Sequence, residues 1–155
     1  MTVTNTSEGG NGMGIRMSNA KVELMDVALK GCENFALYIS ETVSETASET
    51  TVVATRCEFA NSKYGAIVGG SLTSATFKNC LFNDNKSTGI HGSNNATIHL
   101  HGKYTAIHSN GGSGIEARNI SEVIIHLPSN HNTIYNNGRE DRYTTRGGTI
   151  TNVPI

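Results

Sequence analysis

One nine-residue pattern recurs along this chain and decides what it can fold into. It reads LKGCENFAL from Leu29 to Leu37, FANSKYGAI from Phe59 to Ile67, FNDNKSTGI from Phe82 to Ile90, and IHSNGGSGI from Ile107 to Ile115. Each copy begins and ends on an apolar residue, and Ala36, Ala66, Gly89 or Gly114 stands before the second one. A further copy from Ile134 to Arg142 keeps the spacing but ends on Arg, and Gly14-Ile15 marks an earlier one. Taken as anchors, Ile15, Leu37, Ile67, Ile90, Ile115 and Arg142 lie 22, 30, 23, 25 and 27 residues apart. The long interval holds SETVSETASETT, an inserted Ser/Thr/Glu loop at about residues 40–51, without which the period is near 23. A fixed period of this length is the mark of a repeat architecture.

Within each repeat a second alternating segment follows the anchor: Ala75/Phe77, Ile98/Leu100, Val123/Ile125 and Ile150. Alternation with period two, interrupted by Asn, Gly and Ser, predicts short strands joined by tight turns. Short strands stacked in register, each coil adding about 4.8 Å, make a parallel β-solenoid. The expected fold is therefore all-β, a single domain over residues 1–155 of about six coils of ~23–27 residues. Parallel connections are overwhelmingly right-handed, so a right-handed β-helix is expected. Leucine-rich repeats share the period but need an L-x-x-L-x-L-x-x-N pattern that is missing here. A β-sandwich would not carry the 23-residue self-similarity.

The motif x-N-x-[NS]-x-x-G-I, seen in FNDNKSTGI and IHSNGGSGI, resembles the right-handed parallel β-helix repeats of the pectate-lyase-like superfamily. The resemblance runs through nearly the whole chain. It implies the fold and leaves activity open, because such relatives include polysaccharide lyases, glycosidases, epimerases, phage tailspikes and non-catalytic interaction domains. Their catalytic sets do not carry over. The chain has only Asp26, Asp84 and Asp141, in different columns, so neither the clustered Asp of pectate lyases nor the paired Asp of polygalacturonases is present. The Asp-Pro-His signature of alginate epimerases is absent too.

In-register stacking turns sequence columns into physical ladders. Ile15/Leu37/Ile67/Ile90/Ile115 and Leu29/Phe59/Phe82/Ile107/Ile134 are the expected core columns. Cys57 and Cys80 stand two residues before a core Phe, and are expected to stack inside as reduced, space-filling thiols. Asn61, Asp84, Ser109 and Asn136, with Asn85, Asn110 and Asn137 beside them, predict a polar column and an asparagine ladder at the turn.

Chemistry is sought on the outward columns. Arg16, Tyr38, Val68, His91, Glu116 and Tyr143 follow the anchors, and Ser18, Ser40, Gly70, Ser93, Arg118 and Thr145 lie two further on. Tyr38, His91, Glu116, Arg118 and Tyr143 are the candidate ligand-binding residues, a mix of flat, cationic and carboxylate groups suited to hydroxyl-rich ligands. His91 and Glu116 are lateral neighbours, and Glu116 could orient His91 as a base. They are the catalytic candidates if the chain is an enzyme. In the resembled superfamily this strand's outward face commonly carries the substrate cleft. A second column, Thr55, Lys78, His101 and His126, with His99 two residues before His101, raises zinc as a question. With no thiolate or carboxylate adjacent in the pattern, exposed ladder residues are the expectation there. Gly111–Glu116 resembles one calcium-binding nonapeptide, but Glu replaces Asp and tandem copies are missing. No cofactor is expected.

Composition narrows the partners. A net charge of -1 argues against nucleic acid and anionic membrane, which need a basic field. No apolar run is long enough to span a bilayer. The opening MTVTNTSEGG is polar and the cysteine count of 3 is odd, so a cytoplasmic location is expected. Uncovered solenoid ends expose strand edges, which points to a fragment of a longer β-helix or to self-association through ends or edges. Two functions emerge. One is a non-catalytic binding and scaffold module for an extended ligand, glycan first and protein second. The other is a small or truncated carbohydrate-active enzyme using His91 and Glu116.

Overall fold

The computed structural model describes residues 1–5, 12–40, 48–126 and 133–154. Among them are three six-stranded parallel sheets and no helix. One coil shows the plan: Leu81–Asn83 enters the first sheet, Ile90–Ser93 the second and Thr97–His101 the third. Each strand pairs with its counterparts one coil away, never with a strand of its own coil. The result is a right-handed parallel β-helix. About five turns separate the first and last strands of the first sheet, and two more strands nearly complete a sixth. The inserted loop expected at about 40–51 falls largely on residues 41–47, outside the described residues.

Inward residues form one core running the length of the coil stack. Phe59 and Phe82 stack with centroids 4.8 Å apart, and Phe77 meets Phe82 edge-on at 4.9 Å and 89°. All three are fully buried. Cys57 and Cys80 are free and buried, as expected of space-filling thiols, and both Sγ atoms lie against backbone carbonyls.

The third coil corrects the expected register by one residue. Ala66, not Ile67, occupies the anchor column, paired with Leu37 and Ile90. Ile67 faces outward between Tyr38 and His91, whereas Val68, expected outward, is buried. Gly69, not Gly70, pairs with Ser40 and Ser93. The cause is a shorter turn: Ala66 follows Phe59 by 7 residues, whereas Ile90 follows Phe82 by 8. Side chains alternate with period two, so a slip of one exchanges inside and outside.

Bends between sheets explain the Asn and Gly surplus. At the bend after the first sheet, Gly31, Asn61, Asp84, Ser109 and Asn136 all have positive φ, between 52° and 66°. Asp26, Arg56, Asn79 and Gly102 form a similar column after the third sheet. Gly, Asn and Asp tolerate this left-handed conformation better than other residues.

Beside the first bend, buried amides connect the coils. Asn85 Nδ2 donates to Asn110 Oδ1 at 2.9 Å, and Asn110 Nδ2 donates to Asn137 Oδ1 at 2.9 Å. Each also reaches back one coil, Asn85 to the Phe59 carbonyl and Asn110 to the Phe82 carbonyl, both at 3.1 Å. Asp141 caps the series, accepting from Asn137 Nδ2 at 2.8 Å. The glycine of the repeat makes room for these amides. A Cβ at Gly89 would lie 2.8 Å from Asn110 Nδ2, and one at Gly114 would lie 2.7 Å from Asn137 Nδ2.

Asn110→Leu strips the acceptor from both the Asn85 backbone and side-chain N–H groups. Leaving buried donors unpaired costs about 1–3 kcal/mol. The expected outcome is a loss of about that size in urea unfolding, with little change in the denaturant slope.

Candidate functional site

The second sheet gathers the outward residues singled out in the sequence. Its register sets Tyr38 beside Ile67, Ile67 beside His91, His91 beside Glu116, and Glu116 beside Tyr143. Arg118 lies two residues beyond Glu116 on the same strand and pairs with Thr145.

Glu116 is the hub. Its Oε2 accepts from His91 Nδ1 and from Arg118 Nε, each at 3.1 Å, and its Oε1 accepts from Thr88 Oγ1 at 3.1 Å. The residue is only 8% exposed. Burial alone would raise its pKa, but the His91 hydrogen bond foremost, then the Arg118 charge and the Thr88 bond, hold the carboxyl below its usual range. Glu116 is therefore ionised at neutral pH and serves as an acceptor. With Nδ1 turned to the carboxylate, Nε2 is the ring nitrogen of His91 that the pairing leaves available. Arg118 also lays its guanidinium over the Tyr143 ring, 5.5 Å from the centroid. Glu116, Arg118, Arg139, Glu140 and Tyr143 line a depression of about 180 Å³.

Tyr38 does not join this cluster, because Ile67 stands between it and His91. It belongs to a second group at the other end of the face. Phe35 packs against Tyr38 and Tyr64 with centroids 5.1 and 5.5 Å apart, and Arg16 lies 5.7 Å from the Tyr38 ring. Tyr38, Ser40, Ile67 and Ser93 border a depression of about 190 Å³ there.

Thr88, Phe35, Tyr64 and Ile67 are the residues that reading outward columns alone overlooks. Thr88 had a signal: Thr88 and Ser113 hold the same place, just before Gly89 and Gly114. Phe35 and Tyr64 had one too, since they pair in register once the shorter third turn is counted. On the third sheet His101 and His126 pair directly, and His99 lies beside them.

The family described as the right handed beta helix region matches residues 13–153. No curated protein and no solved structure matches the chain.

The lowered pKa of Glu116 fixes the sign of a pH effect. A carboxyl depressed in the folded state contributes stability above its unfolded pKa, near 4.5, and loses it as pH falls through the folded value. Glu116→Gln removes that contribution. Thermal melts should show the variant less stable than wild type at pH 7, with the gap closing below about pH 4.

Proposed function

The chain belongs to the right-handed β-helix family, and from that fold and its outward face we propose that it is a non-catalytic binding module for an extended ligand, a glycan. The observation that carries this reading is the closed pairing of Glu116 with His91, Arg118 and Thr88. Three donors on one ionised carboxylate fix the orientation of His91 and Arg118 before any ligand arrives, and preorganised polar groups cost little to bind with. The same pairing takes Glu116 out of use as a proton donor.

Ring faces stand at both ends of the strip. Tyr38 and Tyr143 are four coil steps apart in one column, which is on the order of 19 Å at the strand spacing. That length suits several sugar units laid along the solenoid axis. Pyranose rings would rest their C–H faces on the two tyrosines. Arg118, His91 and Ser93 would meet the hydroxyls between them, through direct bonds or bridging water.

The 3.1 Å His91–Glu116 contact favours one other reading, a small carbohydrate-active enzyme with His91 as base. A glycan array and a polysaccharide-degradation screen separate the two. The binding reading expects saturable retention of a glycan without turnover, weakened at least tenfold by Tyr38→Ala and by Tyr143→Ala and unchanged by His108→Ala. Turnover abolished in His91→Ala/Glu116→Ala would replace it with the enzyme. Silence in both assays would overturn the glycan as ligand and shift the face to a protein partner.

A further inference from the structure

On the third sheet, apart from the proposed ligand face, three imidazoles converge. The strands Thr97–His101 and Glu122–His126 run parallel in register, with His101 paired to His126. Their rings stack with centroids 4.3 Å apart and planes 2° from parallel. His99, two residues back on the same face, brings Nδ1 to 3.0 Å from His126 Nε2. One nitrogen from each of the three histidines falls within 4.8 Å of the others. All three are half-buried.

We propose that His99, His101 and His126 form a binding site for a borderline first-row transition-metal dication, zinc(II) or copper(II). Metal–imidazole bonds are about 2.0–2.1 Å long. Two nitrogens bound side by side on one ion at that length stand roughly 2.9–3.4 Å apart. The His99–His126 separation of 3.0 Å already meets that requirement. His101, with a nitrogen within 4.8 Å of the other two, completes a three-nitrogen face by rotating out of its stack on His126, the arrangement of sites that leave a fourth position for water. Imidazole donors select zinc or copper over calcium or magnesium, which take oxygen.

Lys78 on the neighbouring strand and Glu122 are the charged side chains near the rings. The adjoining strand Thr149–Asn152 brings no titratable side chain. Without an ion, a 3.0 Å contact between two imidazole nitrogens needs one proton between them. An entering ion takes that position while the proton shifts to the ring's other nitrogen, and because protonation of the rings competes with the ion, binding weakens as pH falls.

The expected sequence of columns placed solvated ladder residues here. What changes that reading is the ring geometry, in which His99 turns toward the next coil rather than away from it.

The test is isothermal titration of the full chain, stripped with chelator, using zinc chloride at pH 7 and calcium chloride as the contrast. The expected result is one zinc per chain and no calcium binding. Affinity should fall at least a hundredfold in His126→Gln, stay unchanged in His108→Gln, and be weaker at pH 5 than at pH 7. Circular dichroism confirms that each variant keeps its β signal, and copper(II) electron paramagnetic resonance reads nitrogen ligation directly. Zinc binding that survives in His99→Gln/His101→Gln/His126→Gln would overturn the proposal. So would a folded wild type that takes up neither zinc nor copper. Neither result bears on the glycan face, whose residues lie on another sheet.

Discussion

Every described strand satisfies its backbone by pairing with a strand one coil away, and that constraint governs the rest. The three sheets contain only parallel partners from neighbouring coils, so no described strand closes its ladder within its own coil, where only tight-turn bonds such as Thr105 N–H to Gly102 O form. The strands that pair within each column must run parallel and in register, which fixes the lateral neighbour of every residue. Bends then have to turn the chain sharply at the same place in each coil. That is why Gly31, Asn61, Asp84, Ser109 and Asn136 all take left-handed φ in one column.

Asparagine and glycine are coupled across coils rather than within one. Asn110 donates back to Phe82 and forward to Asn137, and the space it occupies is the space a Cβ on Gly89 would need. Gly114 stands in the same relation to Asn137. The repeat motif is thus a statement about two successive coils: glycine in one accepts the amide of the next. A Gly, Asn, Ser and Thr content of about 43% would suggest disorder if read as composition alone. Placed on the columns, those residues fill bends and buried amide positions.

The core columns and the outward pair His91–Glu116 could be read from the sequence because period and alternation are regular through the fourth and fifth coils. Coil three could not be aligned by its apolar end. Its turn is shorter by one residue, and both Ala66 and Ile67 satisfy an apolar pattern. Aligning Gly65 with Gly89 gives the right register, because the demand for a missing Cβ is stricter than the demand for an apolar side chain. Phe35 and Tyr64 stayed hidden for the same reason. Ring orientation, which decides whether stacked histidines point at one another, has no sequence signal at all.

The lattice also bears on what the Glu116 face can do. A solenoid sets lateral neighbours about 4.8 Å apart, close to the separation that retaining glycosidases use for two carboxyl groups. Such a pair would need carboxylates at the same column position in adjacent coils. Glu116 instead has His91 on one side and Tyr143 on the other, with Arg118 folded back onto it. Its charge is met by donors and a cation, which outweigh the upward push of burial and hold its pKa below the usual range, away from that of a general acid. A paired and ionised carboxylate holds its neighbours in place. Holding neighbours serves a rigid recognition strip, and it would equally hold His91 in place as a base, so the pairing excludes only Glu116 itself as a proton donor.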